Sequence, residues 1–360
     1  MTIKEKIQLF VPPIYFLIKR KIKYGIDIGY KSPSDKQQFY NLFREVNKRY
    51  HMPLSAIFPL SQDLSGLDSL SSPNNDGVVN YYGSWLTLCE YADFPYFNLP
   101  PEKLTIQHGI TYEMLNCEMM HKDYYNLVWS DEVIKMHRKH TGNPYLFAIG
   151  SPFFYAKSIL SGDVLAKEKK RLGRNLLAFP MHSTSNINKE YDPTLFIEHL
   201  HQMKKHFDTV RVCIYWRDVQ RGTAQLYQDA GFECVCCGHI ADQAFLKRQR
   251  ALIEIADATT SNALGSHIGY SVYLNKPHWL VPDDFKLVDI YLNEGAEEME
   301  MVSTSSNYRE IYNVFLNNPD FVITEEQKKI VDKYWGTSCI KTPDEIRTLI
   351  NQAYELSEKL

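Results

Sequence analysis

Residues 258–281 constrain the fold more than any other stretch, because they predict a strand, a polar turn, a helix and a second strand in succession. Small polar residues lie where the first strand should end: Thr259, Thr260, Ser261 and Asn262. Gly265 and Ser266 should open a helix that runs to about Asn275 and ends before Pro277. A helix start presents unpaired N–H groups and the positive end of the helix dipole. We therefore expect a phosphate to bind there, with an ordinary, well-capped strand-to-helix turn as the alternative.

The composition is that of a soluble globular protein with room for two domains. The chain has 360 residues, of which 44% are hydrophobic and 23% are charged. A formal net charge of −3 argues against nucleic acid as a partner. Seven cysteines, without a signal-peptide pattern, predict reduced thiols in the cytoplasm. Cys234 and Cys237 have no second ligand pair at zinc-finger spacing, so we expect no metal.

The beginning of the sequence is apolar and then basic. Its longest apolar run, residues 9–18, is too short to cross a bilayer and contains two prolines. Four cations follow within residues 19–23. This pattern favours peripheral contact of residues 3–23 with the cytoplasmic membrane face, and a surface helix docked on the N-terminal domain is the alternative.

Short apolar runs alternate with helical patterns on both sides of a charged connection at residues 161–174. The alternation predicts an α/β fold with two Rossmann-like domains. Their expected bounds are 1–160 for the N-terminal domain, 161–340 for the C-terminal domain and 341–360 for a helix that crosses back. Strands of the second half are expected at 175–181, 209–216, 232–238, 256–260 and 278–281. A cleft between the carboxyl edges of two such sheets would bind ligands.

Polar residues follow several predicted strands and should face that cleft. His108, before Gly109, is the candidate general base for an acceptor hydroxyl, with Glu113 and Asp131 as rivals. The candidates for donor binding lie in the second half: His182, Ser183, Ser185, Arg217, His239, Thr260, Ser261, Asn262, Gly265 and Ser266. The alternative is that these residues have only structural roles: the histidines and hydroxyl residues would cap turns, and Arg217 would form a surface ion pair with Asp218. No Walker A loop, Gly-x-Gly-x-x-Gly, Asp-x-Asp or Gly-x-Ser-x-Gly motif is present, which favours a metal-free site of helix dipole, His and Arg.

Five short motifs together resemble a known family. They are Ile106-Gln-His-Gly109, Trp129-Ser130-Asp131, Ala148-Ile-Gly-Ser-Pro152, Ala178-Phe-Pro-Met-His-Ser183 and Thr260-Ser-Asn with Gly265 and Leu274-Asn-Lys-Pro277. Over residues 77–282 the chain resembles bacterial GT-B glycosyltransferases of surface polysaccharide synthesis. These include capsule-type transferases for Kdo and nonulosonic acids, and CDP-glycerol glycerophosphotransferases.

This resemblance implies a nucleotide-sugar donor on the C-terminal domain, a glycan or lipid-linked glycan acceptor on the N-terminal domain, and no cofactor. It makes His108 the histidine of a His-Gly motif, His182 a phosphate-contacting histidine, and Ser261 with Asn262 the counterpart of a Ser-Ser pair. The sequence departs from the pattern at Asn262, and at Ser183, where bacterial sialyltransferases have proline.

We therefore expect a metal-independent glycosyltransferase that moves a CMP-activated keto-sugar acid, such as a nonulosonic acid or Kdo, to a cell-surface polysaccharide. CMP leaves with a single phosphate, which helix dipole, His and Ser donors can stabilise without a metal. The alternatives are glycerophosphate transfer from CDP-glycerol, nucleotide-sugar epimerisation, and non-catalytic binding in glycan assembly.

Overall fold

A computed structural model describes residues 81–94, 100–101, 103–112, 124–183, 187–238, 240, 242–281, 285–289, 305–316 and 320–359. Glu113, Ser185, His239 and the basic segment at residues 3–23 lie outside these ranges, so the predictions made for them stay predictions. The described part is a mixed α/β structure with two parallel sheets.

The described residues form ten strands and eleven α-helices. The strands are β1 (Leu104–Ile106), β2 (Tyr125–Val128), β3 (Leu146–Ala148), β4 (Asn175–Phe179), β5 (Ile187–Tyr191), β6 (Thr209–Cys213), β7 (Glu233–Val235), β8 (Ala258–Ser261), β9 (His278–Leu280) and β10 (Phe285–Asp289). The helices are α1 (Ser84–Tyr91), α2 (Asp131–Thr141), α3 (Gly162–Leu172), α4 (Thr194–Met203), α5 (Trp216–Gln220), α6 (Thr223–Asp229), α7 (Phe245–Ile255), α8 (His267–Tyr273), α9 (Ser306–Phe315), α10 (Glu325–Trp335) and α11 (Pro343–Lys359). None of these helices is long and apolar enough to cross a bilayer.

The first sheet consists of β1, β2 and β3, side by side in that order and parallel. One of its faces packs against α1 and α11 in a cluster that includes Leu88, Leu127 and Ile350. The Arg347 guanidinium of α11 also donates to the Ala92 carbonyl, just after α1, at 2.5 Å. The C-terminal helix therefore lies on the N-terminal sheet.

The second sheet has five parallel strands in the order β7-β6-β4-β8-β9. The chain starts at the central strand β4, moves outward through β6 and β7, and returns across the sheet to β8 and β9. This is the order of the first five strands of the doubly wound nucleotide-binding sheet. The reversal of direction opens a crevice between the carboxyl ends of β4 and β8.

Helices cover both faces of this sheet, as a parallel sheet requires. Side chains of β4 alternate between the faces, because the strand period is two residues. Leu177 and Phe179 join the cluster that contains α7, α8 and α10. Leu176 and Ala178 join the cluster that contains α4 and α6. The short strands β5 and β10 form a separate antiparallel pair.

Aromatic packing joins the first sheet to α8 and α10. Phe153 stacks on Tyr270 with ring centroids 4.0 Å apart and planes 5° apart. A Cβ placed on Gly269 would lie 2.4 Å from the Trp335 ring, so only glycine lets α10 approach α8 this closely. Gly336, with φ of 72°, lies against the Trp129 carbonyl at the end of β2. The end of α10 is therefore held between the two sheets.

The segment before α1 also reaches the second half of the chain. The Tyr82 N–H donates to the Ile240 carbonyl at 2.6 Å, and Tyr82 takes a left-handed backbone with φ of 61°. Glu90 of α1 pairs with Lys247 of α7 at 2.6 Å. These contacts fix the first helix against the second sheet's helices.

Several expected bounds differ from the observed ones. The predicted strand at 232–238 is only Glu233–Val235, and the one at 209–216 ends at Cys213 because α5 starts three residues later. The helix expected from Gly265 to Asn275 is the seven-residue α8. It ends early because Asn275 takes a left-handed backbone with φ of 56°.

Candidate functional site

The crevice between β4 and β8 is closed at its base by hydrogen bonds between the loops. Met181, after β4, donates its N–H to the Asn262 side-chain oxygen at 2.6 Å. Ser183 donates its N–H to the Asp218 carboxylate at 3.0 Å. The loops that follow β4, β6 and β8 thus meet at one edge of the sheet, where the sequence predicted donor-binding residues.

The hydroxyl groups at the end of β8 are bonded inside the protein. Thr260 donates to the Trp279 carbonyl at 3.1 Å, and Ser261 donates to the Ala263 carbonyl at 2.9 Å. His278 has Nδ1 2.8 Å from the Thr259 hydroxyl and Nε2 3.1 Å from the Ser261 hydroxyl. Burial lowers the pKa of His278 to about 3, so its ring is neutral. These groups align β8 with β9, and their predicted contact with a phosphate stays a prediction.

The turn before α8 faces the first sheet. The Ser266 hydroxyl accepts the Ile110 N–H at 3.2 Å, and the Ser266 carbonyl accepts the Trp335 ring N–H at 2.9 Å. Gly265 leaves room for the His267 ring, since a Cβ there would lie 2.6 Å from its Cε1 atom. The start of α8 therefore lies between the loop after β1 and the second sheet.

His267 was missed at the sequence level. Its ring stacks on Phe179 at the end of β4, with centroids 4.5 Å apart and planes 17° apart. Its Nε2 atom is buried and has no hydrogen-bond partner. Burial, then the charges of His278 and His182, holds the pKa of His267 well below its ordinary value. The only local signal was a histidine directly after the Gly265-Ser266 pair.

His108 directly follows β1 and the buried Gln107. The Tyr81 ring meets the His108 imidazole edge to face at 5.0 Å, and the Tyr82 ring lies 6.2 Å away. The Nδ1 atom of His108 is buried without a partner, and burial lowers the pKa of the ring to about 4. The imidazole is therefore neutral near pH 7 and can accept a proton.

Two tyrosines connect His108 with the second sheet. The hydroxyl oxygens of Tyr82 and Tyr215 are 3.4 Å apart. The Tyr215 ring lies 4.4 Å from the His182 ring, and Nδ1 of His182 is 3.0 Å from the Ser183 carbonyl. Burial raises the pKa of both tyrosines, which keeps them neutral. Contacts through Tyr82 and Tyr215 thus link His108 to His182, residues that the sequence assigned to different halves of the chain.

Arg217 and Asp131 have different surroundings. Arg217 lies in α5, and its Nε atom is buried without a hydrogen-bond partner; it forms no ion pair with Asp218 among the described residues. Asp131 opens α2, whose N-cap is Ser130, and is exposed. Asp131 lines a second cavity of about 300 Å³ together with Phe147 and Lys341. Within the described part of the chain, no three His, Cys, Asp or Glu side chains are placed to hold a metal ion.

No protein-family model matches the chain. No curated protein matches it either. Among solved structures, it is similar to UGT71G1 of Medicago truncatula complexed with UDP-glucose, at 14% sequence identity and a TM-score of 0.26. The similarity covers 89% of this chain and 64% of the UGT71G1 chain, so this chain spans less than two thirds of the length of UGT71G1.

Proposed function

We propose that the chain is a GT-B-type glycosyltransferase that moves a sugar from a nucleotide donor to a glycan acceptor. The observation that carries the proposal is the strand order β7-β6-β4-β8-β9. In such sheets ligands bind in the crevice where the strand order reverses. Here that crevice lies between β4 and β8, and the loops that hold His182 and Asn262 meet at it.

The donor side of the proposed site is the crevice itself. The sugar phosphate of the donor would lie against the first turn of α8 and against His182. Arg217 of α5 offers an unpaired guanidinium N–H. We propose a CMP-activated keto-sugar acid, a nonulosonic acid or Kdo, because its single phosphate and its carboxylate are two anions that such groups can bind. No cofactor besides the donor is required.

The acceptor side is the loop after β1. A glycan hydroxyl would approach Nε2 of His108, since Nδ1 is buried. The neutral imidazole would take the hydroxyl proton while the hydroxyl oxygen attacks the anomeric carbon and the nucleotide leaves with its phosphate. A pKa of about 4 makes His108 a weak base, so it would take the proton late, as the new bond forms. Glu113 and Asp131 stay the rival bases. Glu113 lies outside the described residues, as does the segment at 3–23 predicted to contact the membrane.

The proposal is tested by a ligand panel followed by a transfer assay. The full chain is incubated with CMP, CDP, UDP and GDP, and the shift of its melting temperature is measured. CMP should give the largest shift, since at equal concentration the ligand that binds the folded state most tightly stabilises it most. A CMP-linked keto-sugar acid should then be consumed with a glycan acceptor by the native protein and not by His108→Ala. The absence of a shift with every nucleotide would refute the proposal, and a preference for CDP would favour glycerophosphate transfer.

A further inference from the structure

Three histidines from different segments gather at the crevice between β4 and β8. His182 follows β4, His267 opens α8, and His278 opens β9. The ring centroids of His267 and His278 are 5.4 Å apart. The His267 ring also stacks on Phe179, three residues before His182, with ring centroids 4.5 Å apart.

Hydrogen bonding separates the three rings. His278 has hydroxyl partners at both of its nitrogens, so it is part of the fold. His182 has its Nδ1 atom on the Ser183 carbonyl. His267 has a buried Nε2 atom without any partner. Because buried ring nitrogens are nearly always bonded, this one indicates a place for a ligand atom.

A second unpaired group lies in α5 and indicates the charge of that ligand. The Nε atom of Arg217 is buried and unpartnered. Arg217 belongs to α5, which is joined to the His182 loop by the Asp218–Ser183 hydrogen bond. Both unpaired groups can donate a hydrogen bond in their charged form, so the complementary ligand is an anion.

The helix dipole is too weak to hold that anion alone. α8 has seven residues and no side-chain cap, and Gly265 leaves room for the His267 ring rather than for an open cradle. The charge of a bound anion must therefore be balanced by side chains. A protonated imidazole supplies that charge, and a neutral one does not.

We infer that His267 and His182 form a binding site for a phosphate-type anion, and that binding is coupled to uptake of a proton by this histidine pair. The inference rests on the proposed function only in placing the donor's phosphate in this crevice. With the site empty, burial and the neighbouring imidazoles keep His267 neutral. An anion beside the ring favours the charged form, so a proton binds together with the anion. Affinity for the anion then rises as the pH falls.

The groups that face His267 leave the histidines as the titrating partners. The loop after β4 supplies His182, and β9 supplies His278. α10 meets α8 through Trp335, and the 3₁₀ turn at 152–155 meets it through Phe153 and Phe154. α7 contributes apolar side chains such as Phe245 and Leu252 to the same cluster. Asp218 is bonded to the backbone of Ser183.

The test uses sulfate, because its charge stays constant over the range in which histidine titrates. Binding of sulfate to the full chain is measured calorimetrically from about pH 8 to about pH 6, in two buffers of different ionisation enthalpy. The affinity should rise by about tenfold per pH unit for each proton taken up, and the buffer dependence of the heat should count those protons. His267→Gln should bind sulfate more weakly and without this slope.

His201→Gln is the matched control. His201 is an exposed histidine in the last turn of α4 and packs on Phe232 at 4.8 Å. The end of α4 leads to the start of β6, at the opposite edge of the sheet from the crevice. The control should keep the affinity and pH slope of the native protein. In the native protein itself, nuclear magnetic resonance of labelled histidines should show the His267 ring becoming protonated when sulfate is added, which does not depend on how a variant folds.

Three results would overturn the inference: no sulfate binding at tens of millimolar, an affinity that is independent of pH, or the same slope in His267→Gln. The proposed function fails separately. If sulfate binds with the expected slope but no CMP-sugar is consumed, the anion site stands and the transfer proposal is wrong. If a CMP-sugar is consumed while sulfate affinity does not change with pH, the transfer proposal stands and proton-coupled binding is wrong.

Discussion

Gly336→Ala should be among the most damaging small substitutions in this chain. Gly336 ends α10 in the left-handed region, with φ of 72°. A Cβ there would lie 1.8 Å from the carbonyl oxygen of Trp129 and 2.8 Å from its carbonyl carbon. The left-handed backbone costs a non-glycine residue about 1–2 kcal/mol, and an overpacked site costs about 1–3 kcal/mol more. We therefore expect a loss of about 2–5 kcal/mol in the free energy of unfolding.

Two other glycines separate these contributions. Gly142 also ends a helix with a positive φ, of 63°, but nothing lies within 4 Å of its Cβ position, so Gly142→Ala should cost only the backbone term of about 1–2 kcal/mol. Gly109 has no positive φ, and no atom lies within 4 Å of its Cβ position. Gly109→Ala should therefore change the free energy of unfolding by less than about 0.5 kcal/mol. Melting temperatures measure the series, at about 2–4 °C per kcal/mol for a domain of this size. If Gly336→Ala melts no lower than Gly142→Ala, the end of α10 does not lie against the first sheet, and the arrangement of the two sheets is wrong.

Three further predictions concern the site and its supports. His108→Ala should reduce the transfer rate by about a hundred- to ten-thousand-fold and leave CMP affinity unchanged. Steady-state kinetics measures the rate and calorimetry the affinity. An equal loss of transfer rate and CMP affinity would rule out His108 as the base. Glu90→Gln should lower the free energy of unfolding by about 1.5–3 kcal/mol, because Lys247 is buried and loses its charged partner. His278 stays neutral in the folded state down to about pH 3, but in the unfolded chain it is protonated below about pH 6.5. The free energy of unfolding should therefore fall by about 1.4 kcal/mol per pH unit as the pH drops from about 6.5 towards 3, because of this one histidine. Denaturation as a function of pH should show a flatter acid limb in His278→Gln.

The second half of the fold follows closely from local sequence. The apolar run at the start of β4 is buried on both faces, and Pro180 directly after it ends the strand at Phe179. The same combination of an apolar run and a breaking turn located the other strands of this sheet, and their alternation with helices predicted parallel pairing. Each strand end carries polar residues, which is why His108 and His182 could be singled out.

The site could not be completed from the sequence, because its geometry depends on segments far apart in the chain. Tyr82 and Tyr215 are 133 residues apart, and no periodic pattern in the sequence predicts that their hydroxyl groups lie close together. The left-handed backbone of Tyr82 is imposed by the neighbouring loop at residue 240, since isolated tyrosine disfavours it. The short length of α8 follows from the left-handed backbone of Asn275, which the helical pattern of residues 265–275 does not reveal.

The most direct test of the account is a crystal structure of the full chain with CMP bound. The CMP phosphate should lie in the crevice between β4 and β8, within hydrogen-bonding distance of His182 or His267 and facing His108 across the tyrosine pair. A nucleotide bound in the cavity beside Asp131, or anywhere away from the carboxyl edge of the five-stranded sheet, would contradict it.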